Sequence, residues 1–173
     1  MNETTDRLLE LLSREGPALH TLLSRLTLDR HAAEDLLQEV FLKLTASPAF
    51  REAARPHAYL RQSAINLALD WRRARRNKPV AMATDVPDPA SPANAATELR
   101  EEWNKVLDAA TELNGLTREV FVLHYLEEQS FTEIATLLGK TPHQVRGLCH
   151  KAIRYLREKL TPQTISQEGS HAP

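Results

Sequence analysis

From residue 29 onward apolar residues recur at three- and four-residue steps: Ala32, Ala33, Leu36, Leu37, Val40, Phe41 and Leu44. That period predicts an amphipathic helix over 30–45, with Asp29 as its N-cap. A second long helix is predicted over 57–76, with Tyr59, Leu60, Ala64, Ile65, Leu67, Ala68 and Trp71 as its apolar members. Pro48 and Pro56 interrupt the stretch between them. Two earlier segments, 5–13 and 17–26, complete a bundle. Downstream, 98–113 and 117–128 read as helices broken at Gly115. Ser130 caps a helix over 131–138 and Gly139 ends it; Thr141 then caps a last helix that has Pro142 at its first position and runs to 160. This is helix, three-residue turn containing glycine, helix. No stretch alternates β-branched and polar residues between turn signals, so the predicted fold class is all-α.

Between 79 and 97 the pattern disappears. Pro79, Pro87, Pro89 and Pro92 sit among small residues with almost no large apolar side chain, which predicts a flexible Pro/Ala-rich linker. The expected organisation is two small helical domains: 1–78, then the linker 79–97, then a helix-turn-helix domain over 98–160. The polar tail 161–173 is expected to be disordered.

Formal charge is -1 over 173 residues, but it is unevenly placed. Between Asp70 and Lys78 four arginines and a lysine oppose one aspartate, a local +4, and 140–160 carries +5; the rest of the chain is therefore at -10. Two focused basic surfaces ride on an acidic body. The one cysteine, Cys149, excludes an intrachain disulfide framework and a multi-thiolate zinc site, and suits a reducing cytoplasm. It falls on the apolar stripe Val145, Cys149, Ala152, Leu156 and reads as core. With no signal-peptide run and no stretch of about 18 apolar residues, the chain is expected to be cytoplasmic and not inserted in a membrane.

Phosphate loops, metal-binding histidine pairs and nucleophile elbows are absent from the sequence, so neither catalysis nor a cofactor is expected. His143 and His150 lie seven apart without carboxylate or thiolate company, which suits contact with solvent or DNA rather than metal. The final helix leaves His143, Gln144, Arg146, Gly147, Leu148, His150, Lys151 and Arg154 more or less outward, and Thr141 at its cap joins them as a candidate DNA contact. That mixture of base-edge readers and phosphate partners fits a recognition helix in a major groove. On the 57–76 helix, Asn66 and Asp70 are four apart beside Trp71, Arg72, Arg73, Arg75 and Arg76. A cationic helix end with aromatic neighbours suits phosphate contact and stacking on unpaired bases, although Trp71 fits the core equally well. A cationic helix end alone, favoured by the dipole, explains one or two arginines rather than four.

At these residues the chain resembles bacterial RNA polymerase sigma factors of the sigma-70 family, extracytoplasmic-function class. The segment from Ala33 to Leu44 is similar to the region 2 helix that docks on the β′ clamp, which implies that Asp35, Gln38, Glu39 and Phe41 face the polymerase core. Asn66 to Arg73 resembles the segment that captures and opens the -10 element, with the loop 47–56 helping to form a pocket for an extruded base. Leu116 to Phe121, Ser130 to Ala135 and the helix from Pro142 resemble region 4, which reads the -35 element. The resemblance implies core polymerase (β′ clamp and β flap), promoter DNA and an anti-sigma factor as partners. Gly147 and Leu148 stand where the family usually has a small polar residue and an arginine, and a helical glycine costs about 1 kcal/mol relative to alanine. The competing class is a stand-alone helix-turn-helix regulator with an oligomerisation or sensor bundle, which would have no need of the basic 66–78 segment; a sigma-like adaptor would keep the docking face alone.

Overall fold

The computed structural model describes residues 3–77 and 93–161, all helices and short connections. The order is α1 (Glu3–Thr27), α2 (Arg30–Thr45), α3 (Pro48–Arg51), α4 (Pro56–Arg76), α5 (Ala93–Ala110), α6 (Gly115–Tyr125), α7 (Phe131–Leu138) and α8 (Pro142–Leu160). The all-α expectation holds, with no strand among the described residues. Lys78, the part of the predicted linker over 79–92 and the tail from 162 lie outside them.

Local sequence sets most element ends. The Asp29 carboxylate accepts the Ala32 N–H at 3.0 Å to start α2. Ser130 and Thr141 each close a capping box, with Glu133 and Gln144 as the reciprocal partners. Gly139 takes φ 64°, the left-handed conformation that ends α7.

Four expectations need correction. The segments 5–13 and 17–26 form one helix that runs through Gly16 and Pro17. An interior proline costs about 3 kcal/mol. Leu8, Leu11, Leu19, Leu22, Leu23 and Leu26 form a single buried stripe across that point, and its burial outweighs the break. Residues 93–97, expected in the linker, are the first turn of α5, which ends at Ala110 rather than 113. Gly115 lies inside the first turn of α6, because the Asn114 side chain caps that helix, and α6 ends at Tyr125. Within the interruption 47–56, Ser47 caps the short helix α3, which inserts a fully buried Phe50 into the core.

One apolar cluster fills the space among α1, α2, α3 and α4, with Leu8, Leu23, Leu44, Phe50, Leu60 and Leu69 among its fully buried members. It continues without a gap into α5, α6 and α8 through Leu107, Ala110, Phe121, Val122 and Leu156. A smaller cluster of Val120, Leu123, Ile134, Ala135, Val145 and Cys149 seats α7 against α6 and α8. Cys149 is buried there, as its place on the stripe predicted, and burial pushes its thiol pKa up.

Candidate nucleic-acid and partner interfaces

Three surfaces carry the residues singled out by sequence. On α2, Asp35, Gln38 and Glu39 are exposed and Phe41 is half-buried. Phe41, Gln38 and Leu37 line a shallow apolar groove with Leu12, Gly16 and Leu42. Leu42 is 66% exposed, a large apolar side chain mostly open to solvent. Sequence reasoning credited the polar face and passed over this leucine; its place off the buried stripe was the available signal.

On α8, His143, Arg146, His150, Lys151 and Arg154 are all exposed, on the side away from the buried Val145, Cys149 and Ala152. The Arg146 guanidinium lies 5.6 Å from the centre of the Phe131 ring, which itself stacks on His124. Thr141 and Gln144 are exposed as well, and their side chains also bond the backbone at the start of α8. The Gln144 side chain accepts the Thr141 N–H at 3.0 Å and the Thr141 hydroxyl accepts the Gln144 N–H at 3.2 Å, so both side chains serve the cap. Leu148 is half-buried and packs against the smaller core cluster. Gly147 lies against nothing: a Cβ there would meet no atom within 4 Å.

The end of α4 is the most heavily bonded of the three. Arg73, Arg75 and Arg76 lie in its last turn, where cations oppose the partial negative charge of free carbonyls. Arg75 pairs with Asp29 at 3.4 Å and lies 5.2 Å over the half-buried Trp71 ring. Backbone N–H donation from Ala32, helped by Arg75, holds the Asp29 carboxyl below its usual pKa.

Arg72 departs from the sequence expectation, which grouped it with its neighbours as an exposed DNA contact. It is 6% exposed. Its Nε and Nη2 donate to Asp108 Oδ1 at 3.1 and 2.7 Å, Nη2 donates to Asn104 Oδ1 at 2.6 Å, and Nη1 donates to the Leu26 carbonyl at 3.2 Å. One guanidinium thus ties the end of α1 to α4 and to α5, which uses the fixed donor fork of arginine. Its helical spacing, three beyond Leu69 and four beyond Ala68, puts it on the inward side of α4. That was the signal a charge count missed.

The neighbours of Arg72 face the same way. Asn66 Oδ1 accepts from Arg118 at 3.2 Å, Arg73 donates to the Thr111 carbonyl, and Arg76 donates to the Asp108 carbonyl at 3.3 Å and lies 3.7 Å from Glu112. Asp70 is exposed and sits 3.9 Å from Arg73. Nearer the start of α4, Arg61 bridges Glu15 at 3.0 Å and Glu127, and Gln62 donates to Glu119 at 3.1 Å. Glu119 is 2% exposed, and burial pushes its carboxyl up to about 7. Arg61, Arg118 and Glu119 were not singled out by sequence. Their partners lie 46 to 66 positions away, or in one carbonyl cluster, and no local pattern announces such pairs.

Among the described residues no three histidine, cysteine, aspartate or glutamate side chains are grouped to hold a metal ion, and no helix is long and apolar enough to cross a membrane.

Comparison with known proteins brings these surfaces together. The family model for sigma-70 region 2 matches residues 11–78, and that for sigma-70 region 4 matches 103–156. The chain is 33% identical over 154 residues to the RNA polymerase sigma factor CarQ of Myxococcus xanthus, covering 87% of both proteins. It is 34% identical over 140 residues to the ECF RNA polymerase sigma factor SigL of Mycobacterium tuberculosis, covering 77% of both. A relative from Xanthomonas campestris, RfaY, described as a probable RNA polymerase sigma factor, is 35% identical over 163 residues; the match takes in 86% of this chain and 39% of that protein.

Proposed function

The chain belongs to the sigma-70 family of RNA polymerase sigma factors, extracytoplasmic-function class, and on that footing we propose that it acts as an alternative sigma factor through the three surfaces described above. It joins core polymerase and directs it to promoters whose -35 and -10 elements it reads. It is an initiation factor without chemistry of its own and works in the cytoplasm.

The observation that carries this division of labour is the order of the surfaces along the chain. Region 2 holds both the α2 face and the basic end of α4, and region 4 holds the exposed cationic face of α8. Asp35, Gln38 and Glu39, with the Leu37, Phe41 and Leu42 groove, present a mixed acidic and apolar face to the β′ clamp. Asn66, Asp70 and the Arg73 to Arg76 turn offer amide, carboxylate and cationic groups to an unpaired -10 strand. There, base contacts and backbone neutralisation offset an unstacking cost of a few kcal/mol per base. His143, Arg146, His150, Lys151 and Arg154 face the -35 duplex, Arg146 being the side chain suited to a bidentate guanine contact. These surfaces are also the ones an anti-sigma partner would cover. The domain limits proposed are 1–78 and, because α5 starts at Ala93, 93–160.

The test is transcription by purified core polymerase on a promoter library with varied -35 and -10 elements, with and without the protein. Start-site-specific transcripts that require it are expected. Co-elution with core but no transcripts would favour an adaptor. Neither activity nor co-elution would leave a stand-alone regulator.

A further inference from the structure

Arg146 is held differently from the arginines of α4. Those give their N–H groups to acceptors of the protein itself: Arg72 to the Asp108 carboxylate, Arg73 to the Thr111 carbonyl, Arg76 to the Asp108 carbonyl. Arg146 has neither a hydrogen bond nor an ion pair among the described residues. Its neighbours one helical turn away on α8 are Pro142, His143, Cys149 and His150, none of them acidic. Glu133, the acid of α7, is committed to the Ser130 N–H at 2.8 Å. What meets the guanidinium is the Phe131 ring, with 5.6 Å from Cζ to the ring centre. An aromatic face attracts a cation without using its N–H donors, so these stay available. The ring is itself fixed. Phe131 is the first residue of α7, directly after the Ser130 cap, and is half-buried against the smaller apolar cluster. It stacks on the His124 ring, centres 4.5 Å apart, and His124 Nδ1 lies 2.8 Å from the Gln129 carbonyl, the spacing of a donated hydrogen bond.

We propose that Phe131 is a positioning residue for -35 recognition: its ring, braced by His124, aims the Arg146 guanidinium outward from α8 with its donors uncommitted, and so sharpens the choice of base at one -35 position. This rests on the reading of α8 as the -35 face. Arg146 lies four residues beyond Pro142, in the N-terminal part of α8, where a recognition helix meets base edges. A long side chain that samples many rotamers loses that freedom on binding, and one already aimed has less to lose.

Two measurements on the full chain test it. The first is NMR of the arginine side chains in the free protein. The Arg146 Hδ protons should be shifted upfield by the ring current, and its Nε–H should be more ordered than that of the exposed Arg154. Phe131→Leu should remove both signatures and Phe131→Tyr should keep them. An Arg146 signal without the shift in the parent, or one unmoved by Phe131→Leu, would overturn the contact; the parent spectrum decides even where the leucine variant does not fold. The second is promoter-library transcription with core polymerase. Arg146→Ala should relax the preference at one -35 position. Phe131→Leu should relax the same position by about two- to fivefold, the weight of an exposed cation–π contact, and Phe131→Tyr should retain it. Phe131→Leu added to Arg146→Ala should change nothing further at that position. A Phe131→Leu variant that lowers initiation equally on every -35 sequence has a structural residue alone, and the positioning role is lost. If Arg146→Ala leaves every preference unchanged, the -35 reading of Arg146 has failed and the positioning role goes with it, whatever the NMR shows of the ring contact.

Discussion

Glu119 is an acid held where its charge is unwelcome. It is buried on α6 with one hydrogen bond, from Gln62, and its carboxyl titrates near 7 instead of at its ordinary 4.5. The native chain therefore binds this proton more tightly than the unfolded chain does, so the contribution is fully present below about 4.5 and is lost as pH rises through 7. At 1.36 kcal/mol per pH unit, the two values imply that stability falls by about 2 to 3 kcal/mol from this site between pH 5 and pH 8. Glu119→Gln keeps the shape and an acceptor for Gln62 but cannot ionise. The variant should match the parent near pH 5 and exceed it by about 2 to 3 kcal/mol at pH 8. Urea unfolding followed by circular dichroism at both values measures this. A variant that keeps the full pH slope of the parent would refute the assignment of that slope to Glu119.

Other positions make sharp predictions. Phe50→Ala, which empties a fully buried site under α3, should cost about 3 to 5 kcal/mol in the same unfolding assay. Gly147→Ala fills open space inside α8 and should add about 1 kcal/mol of stability, while any change in preferred -35 sequence appears in library transcription. Gly139→Ala should lose about 1 to 2 kcal/mol, since its φ of 64° is strained for alanine and the new Cβ would collide with the Arg55 guanidinium. Asp35→Arg with Glu39→Arg should weaken co-elution with core polymerase and leave the melting curve unmoved; equal co-elution would clear the α2 face of that role. Arg146→Ala should lower -35-dependent initiation by about 1 to 3 kcal/mol if it contacts a base, and equal loss on every -35 sequence would mark a phosphate contact.

Much of this was legible because it is local. Asp29, Ser130, Gly139 and Thr141 end or start helices by chemistry contained within a few residues, and the sequence places each correctly. The stripe through Val145, Cys149, Ala152 and Leu156 is buried as its spacing says. Pro17 misled because a proline's local penalty is visible while the leucine stripe that overrides it draws its energy from α2 and α4. Arg72 misled because charge is counted by residue, whereas its burial depends on Asp108 and Asn104, more than 30 positions away. Glu119 lies in the Leu116 to Phe121 segment that resembles region 4, but its burial depends on packing and on Gln62, 57 positions away, which no local pattern marks. The faces of α2 and α8 were found because exposed polar residues remain where the apolar period leaves them.

Helix α4 has consequences for how such a protein can change. Leu60, Ala64, Ile65, Ala68 and Leu69 on one side build the hydrophobic interior, and Asn66, Arg72, Arg73 and Arg76 on another are engaged with α5 and α6 or their joining turn. A substitution there disturbs several tasks together. The outer side of α8 carries no such debt: a methyl group can be added at Gly147 without touching anything, and His143, His150 and Lys151 stand clear of the interior. On the proposed reading of α8 as the -35 face and α4 as the -10 face, the structure tolerates changes on the promoter-reading side of α8 far more readily than along α4.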